Sequence, residues 1–158
     1  MKKTVVGLTG QSGAGKTTIS DAFRENGFEI INCDIVAREV TQAGNECCKE
    51  LAKLFPSCFD ENYSLDRQKL GEIVFSDKNK LQMLNDTIYP FINKLIDEKI
   101  NAAENKFILL DAPTLFEAGA DKLCSVIVSV VADFGIRLER ITKRDGISAE
   151  LAKKRFSS

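Results

Sequence analysis

No histidine occurs among the 158 residues. That absence removes Ser–His–Asp and Cys–His catalysis, and mixed Cys–His zinc sites, from the available chemistries. A general base in this chain is therefore a carboxylate or a lysine. An excess of one charge is also missing: 22 Lys and Arg stand against 23 Asp and Glu. A nucleic acid or an acidic membrane surface calls for a strongly basic partner, so neither is expected. Long apolar runs are absent as well. The segment between Met1-Lys2-Lys3 and Gly10 is too short for a signal peptide or a membrane span. The five cysteines (Cys33, Cys47, Cys48, Cys58 and Cys124) form no C-x-x-C pair. Adjacent Cys47 and Cys48, with no histidine to join them, make a poor metal site. Core thiols in a reducing cytoplasm are the expectation.

What is present fits one folded α/β domain. Hydrophobic residues make up 44% and charged residues 28%, an ordinary globular balance that argues against disorder. The segment Thr4–Thr9 is β-branched and apolar and ends in a glycine-rich turn, the pattern of a buried strand. Lys16–Asn26 carries Ile19, Ala22 and Phe23 at helical spacing, with Gly27 as a stop. Phe28–Ile31 is a second apolar run, with Asp34 just past its end. Strand, helix and strand in so short a stretch predict a βαβ unit and a parallel sheet. From Ile35 to about Ala103 the pattern is helical. Asp66 and Asp77 read as N-caps of helices over Arg67–Phe75 and Lys78–Asp86. A further helix, with Phe91, Ile92, Leu95, Ile96 and Ile100 at helical spacing, is expected after Pro90. Strands return at Lys106–Leu110, ending in Asp111, and at Ser125–Val131. A helix over Phe134–Arg144 stops at Asp145-Gly146, and Ser148 caps a last one.

The sharpest signal is Gly10-Gln11-Ser12-Gly13-Ala14-Gly15-Lys16-Thr17, a full match to G-x-x-x-x-G-K-[ST] between a predicted strand and a predicted helix. Glycines let the backbone curl so that several N–H groups point at a phosphate chain. The helix beginning at Lys16 adds the positive end of its dipole. Lys16 can reach the β- and γ-phosphates of ATP, Thr17 can coordinate Mg²⁺, and Thr18 follows in the same turn. The bland alternative, a glycine-rich surface turn, does not account for the strand–loop–helix context.

Three further sets surround this loop. In open α/β sheets ligands bind beyond the carboxyl ends of the strands, where Asp34 and Asp111 both fall. Asp34 can accept or orient a substrate hydroxyl proton, or else cap a helix. Asp111 can hold Mg²⁺ directly or through water, or else simply end a strand. Arg137, Arg140 and Arg144 share one helix face by their i, i+3 and i+7 spacing. They could close over the triphosphate. A plain solvated surface, with Glu139 paired to Lys143, is the other reading.

The order of these pieces resembles the dephospho-CoA kinase family. Gly7-Leu8-Thr9-Gly10 with the phosphate loop is similar to that family's opening, and Ile31-Asn32-Cys33-Asp34-Ile35-Val36-Ala37-Arg38 to its next signature. Leu65-Asp66-Arg67, Val74-Phe75, Leu110–Glu117 and Arg144–Ser148 follow in the family's order. The resemblance implies ATP and Mg²⁺ as cofactors and dephospho-CoA as a small-molecule acceptor, phosphorylated at its ribose 3′-hydroxyl. It implies a P-loop nucleotide-kinase-like parallel sheet flanked by helices. The core would comprise 1–34 and 105–135, a helical CoA-binding region 35–104, and a lid 136–158. By the same resemblance Asp34 would be the base, with Lys16 and Arg140 on the transferring phosphate. Arg144 would join the ATP site, together with Gly10, Ser12, Gly13, Ala14 and Gly15. Arg38 would lie near the substrate ribose, and Leu115, Phe116 and Glu117 would line the acceptor pocket. Tyr89-Pro90 stands where the family usually has His-Pro. Family members also continue past the lid through a further strand and helix, so an uncovered sheet edge is expected here. Another small-molecule P-loop kinase, or a nucleotide-binding remnant without turnover, are the competing readings. The sequence leaves oligomeric state open.

Overall fold

In the computed structural model, which describes residues 2–11 and 13–156, the chain forms two compact units, Met1–Ile31 with Ala103–Ser158, and Asn32–Ala102.

The first unit is built on a four-stranded parallel sheet in the order β2-β3-β1-β4. Its strands are β1 (Thr4–Gly10), β2 (Glu29–Asn32), β3 (Phe107–Asp111) and β4 (Val126–Val130). Parallel pairing sets Leu8 opposite Asp111 and Gly10 opposite Val130, so β1 ends level with β4 and two residues past the end of β3. A central parallel strand is covered on both faces, which is why β1 and β3 read as continuous apolar runs without alternation. On one face Val6, Leu8 and Leu109 form a core against Ile19 and Phe23 of α1 (Lys16–Glu25) and Phe28 of the turn before β2. On the other face Gly7 leaves room for two side chains: a Cβ there would stand 2.7 Å from the Cys124 sulfur and 2.9 Å from Leu115. β4 is an edge strand. Ser125–Val131 holds no charge, proline or glycine, and Val126, Ile127 and Val131 are exposed, so among the described residues this edge is apolar. After β4 come α6 (Phe134–Asp145) and α7 (Ala149–Phe156), which pack on each other, with Ile141 and Ala152 buried.

The second unit is helical. Helices α2 (Cys33–Val40), α3 (Glu46–Leu54) and α4 (Arg67–Phe75) pack on the long α5 (Lys78–Ala102). Asp66 and Asp77 accept backbone N–H groups of the following turn, as their positions predict. α5 departs from expectation. The two helices expected on either side of Pro90 are one, running through the proline for 25 residues. A proline inside a helix costs about 3 kcal/mol. Burial of Ile92, Ile96 and Ile100 beyond it offsets that cost, and Asp86 and Pro90 both lie on the exposed side of the helix.

All five cysteines are free thiols. Burial pushes the Cys47 and Cys124 thiols up to about 11, and it also raises Cys48. At neutral pH these groups are protonated and poorly nucleophilic. Iodoacetamide at pH 7.5 is expected to leave Cys47 and Cys124 unlabelled in the native protein and to modify them in denaturant. Peptide mapping by mass spectrometry reads this, and prompt native labelling of either would contradict the packing. Ile96→Ala, which empties a fully buried position of α5, is expected to lower stability by about 2–5 kcal/mol in urea unfolding.

Candidate active site

The phosphate loop leaves the end of β1 and enters α1 through two glycines in left-handed backbone, Gly13 at φ 77° and Gly15 at φ 98°. Side chains rarely adopt that conformation, which explains the glycines. Gly10 is required for a different reason: a Cβ there would sit 2.8 Å from the Val130 carbonyl oxygen. Ala14 N–H donates to the Gln11 carbonyl at 3.0 Å and closes the turn, and Ala14 is buried. Ser12 lies outside the described residues.

The start of α1 is chemically open. Gly15, its N-cap residue, provides no side-chain acceptor, and the first turn carries no acid. Helices α2, α4 and α6 each begin under an Asn or Asp side chain that accepts backbone N–H groups. At α1 those donors and the positive dipole end are left for an outside anion. Thr17 and Thr18 are exposed in the same turn. Lys16 is only 21% exposed and forms an ion pair with Asp111, at the end of β3, whose carboxylate is 10% exposed. The sequence assigned these two residues to different partners, a phosphate and a metal; in the structure they hold each other.

A second cation lies over the loop. Arg140, exposed on α6, donates from Nη1 to the Gly13 carbonyl at 3.1 Å. The helix backbone is close as well, for a Cβ on Gly13 would stand 2.6 Å from the Arg137 carbonyl oxygen. The three arginines expected to act as one face thus have three fates. Arg140 reaches the loop. Arg144 is turned to Asp145 at 2.7 and 3.2 Å, and its hydrogen bonds, with its charge and the Arg155 contact, hold the Asp145 carboxyl below the usual range. Arg137 is buried, with its guanidinium 4.2 Å from the centre of the Phe156 ring. The expected Glu139–Lys143 pair is present at 2.7 Å, on the exposed side of the helix.

Beyond β3, Thr9 donates to the Pro113 carbonyl at 3.3 Å and ties the following loop to β1. Phe116 and Glu117 of that loop are exposed. Leu115, grouped with them by the resemblance, is fully buried beside Gly7, so its side chain faces the interior and not an open pocket. In the second unit Asp34 stands in the first turn of α2, exposed. Asn32 caps that helix, accepting the N–H groups of Asp34 and Ile35 at 2.9 and 3.3 Å. The capping alternative for Asp34 is therefore corrected: the carboxylate is not used for that purpose. Arg38, one turn further, is also exposed, and Tyr89 is half-buried within α5.

No group of three or more Cys, Asp or Glu side chains suited to a metal occurs among the described residues. Thr17 and Asp111 offer one hydroxyl and one carboxylate. That donor set suits Mg²⁺ that arrives with the oxygens of a triphosphate, and not a protein-only cage. Sequence reasoning missed Arg137 burial, Phe156 and the Asn32 cap. Only the Asn two residues before Asp34 offered a signal, because Asn is a favoured N-cap.

A phosphate loop on a parallel sheet, with Lys16 and Arg140 at its mouth, defines a P-loop nucleotide-kinase-like protein. Known proteins narrow the class. The family model for dephospho-CoA kinase matches residues 4–158. A dephospho-CoA kinase of Fusobacterium nucleatum subsp. nucleatum is 36% identical over 158 residues, covering 100% of this chain and 82% of that protein. One from Oryza sativa subsp. japonica is 38% identical, over 98% of this chain and 69% of that protein. Among solved structures, one from Thermus thermophilus superposes with a TM-score of 0.82 at 30% identity, covering 98% of this chain and 79% of its own. Dephospho-CoA kinase from Campylobacter jejuni superposes with a TM-score of 0.66 at 30% identity and the same coverage. This chain belongs to the dephospho-CoA kinase family.

Because Gly13 is both left-handed and in contact with α6, Gly13→Ala is expected to displace the loop from Arg137. ATP affinity measured by calorimetry should fall about tenfold or more, a change of 1.4 kcal/mol per decade. Retained affinity would show that the close backbone approach is dispensable.

Proposed function

We propose that the chain transfers the γ-phosphate of ATP to the ribose 3′-hydroxyl of dephospho-CoA, giving coenzyme A and ADP. The observation that carries this reading is the uncapped start of α1 with Lys16 and Arg140 beside it, in a chain that matches the family model from residue 4 onward. Residues 35–104 are the proposed CoA-binding region, 1–34 and 105–135 the ATP-binding core, and 136–158 the lid. The cytoplasm is the proposed compartment, and no helix among the described residues is long and apolar enough to cross a membrane.

Each proposed role follows from the chemistry of the residue. The backbone from Gly10 through Ser12, Gly13, Ala14 and Gly15 to Lys16 cradles the phosphates, with Thr18 beside it. Asp34 accepts the proton of the 3′-hydroxyl as its oxygen forms a bond to the γ-phosphorus. The bond from that phosphorus to the β–γ bridging oxygen breaks, and the electrons leave with ADP. Lys16 exchanges Asp111 for the β- and γ-oxygens, and Arg140 exchanges the Gly13 carbonyl for the same group. Both cations then stabilise charge that spreads over the transferring phosphoryl. Thr17 and the released Asp111 carboxylate would be the protein oxygens that hold Mg²⁺, which would supply positive charge to the phosphates. Arg144 stands further along the lid and can join only by leaving Asp145. Arg38, Tyr89, Phe116 and Glu117 are proposed to contact the acceptor.

A coupled ADP-release assay with Mg-ATP, with and without dephospho-CoA, tests the reading, with the 3′-phosphorylated product identified by mass. Acceptor-dependent release is the expected result. Release with nucleosides or nucleotides in place of dephospho-CoA would move the acceptor class, and ATP binding without release would point to a domain that holds nucleotide without turnover. Lys16→Ala is expected to weaken ATP binding at least about tenfold. Asp34→Asn should leave ATP binding intact and cut transfer by about 10²-fold or more. Transfer that survives Asp34→Asn rules that carboxylate out as the base.

A further inference from the structure

Arg140 reaches the phosphate loop only if α6 is held at one rotation about its own axis. Successive residues on a helix are turned by about 100°, so a modest roll would carry the guanidinium away from Gly13. One side of α6 is set by backbone contact, where the Arg137 carbonyl faces Gly13. The opposite constraint comes from α7. The Arg137 side chain, three residues before Arg140 and hence on the same face, is buried and lies 4.2 Å from the centre of the Phe156 ring. Phe156 in turn meets Phe134, at the start of α6, edge to face at 5.4 Å between centroids and 75° between planes. α7 is seated for this contact by fully buried Ala152.

We propose that Phe156 is a positioning residue for Arg140: its ring holds Arg137, fixes the roll of α6 on the phosphate loop, and so aims Arg140 at the phosphates. The Arg137 guanidinium lies over the ring, whose π-electrons attract a desolvated cation. Its edge contact with Phe134 pins the first turn of α6 as well. The inference rests on the reading of Arg140 as a phosphate-binding group and extends it to a residue 16 positions downstream, in another helix.

The test is a double-mutant cycle on the whole chain, with ATP affinity read by calorimetry and the KM for dephospho-CoA read alongside. Phe156→Ala is expected to weaken ATP binding about fivefold to tenfold while leaving the acceptor KM unchanged. In an Arg140→Ala background the same change should cost nothing further, because the group it aims is gone. Phe156→Tyr keeps the ring face and is expected to restore affinity. Phe156→Leu preserves apolar bulk without a π-face; it supplies the cycle if the alanine variant is unfolded, and it should show the same loss. Additive losses, or unchanged ATP affinity in a folded Phe156→Leu, would overturn the positioning role while Arg140 keeps its own. An Arg140→Ala variant that binds ATP normally would instead overturn the phosphate-binding reading beneath it, and the inference with it.

Discussion

The close approach of backbone to backbone at Gly13 is the constraint on which the first unit depends. A phosphate cradle needs N–H groups turned inward, which puts Gly13 and Gly15 in left-handed conformations. Without side chains at these positions, α6 can lie directly on the loop, with the Arg137 carbonyl where a Cβ of Gly13 would otherwise be. The same absence of a side chain at Gly10 lets the end of β4 close in beside the end of β1. A glycine pattern that looks like a local loop requirement therefore also determines how the strand and helix after it are packed.

Electrostatics complete the arrangement. Most helices here begin under an Asn or Asp cap, whereas α1 begins on a bare glycine with no acid in its first turn. A buried carboxylate, Asp111, and a backbone carbonyl, that of Gly13, hold the two cations nearest the loop. Both are acceptors that a triphosphate can replace, since its oxygens carry more negative charge than either. Lys16 is largely shielded from water, so leaving it unpaired would be costly, and the Asp111 contact removes that cost. Both cations are thus kept beside the loop, each on a partner within the first unit.

Much of this was legible in the residues. The loop, the strand and helix on either side of it, and the caps at Asp66, Asp77 and Ser148 each rest on interactions within a few positions of the chain. Such interactions leave local patterns that a sequence shows directly. The ordered signatures from Gly7 to Ser148 were specific enough to indicate the family. Where reading failed, the cause was distant. Pro90 breaks an isolated helix, but three isoleucines buried after it carry α5 through. The residues left Asp34 open between a proton acceptor and a helix cap, and only the fold shows that Asn32 takes the capping position. Leu115 sits in a loop of exposed residues, yet the space left by Gly7, more than a hundred positions earlier, draws it inside.

By itself the sequence determined a histidine-free phosphate-binding α/β chain, because composition, periodicity and the loop motif are properties of the residues and their near neighbours. Only the tertiary structure decided that Lys16 rests on Asp111, that Arg140 reaches the loop while Arg144 turns to Asp145, and that Arg137 is buried on Phe156. Helical spacing gives the three arginines one face and no means of telling them apart. What separates them is the distance of each from Gly13, Asp145 and Phe156, and those distances exist only once β4 has carried α6 back to the loop.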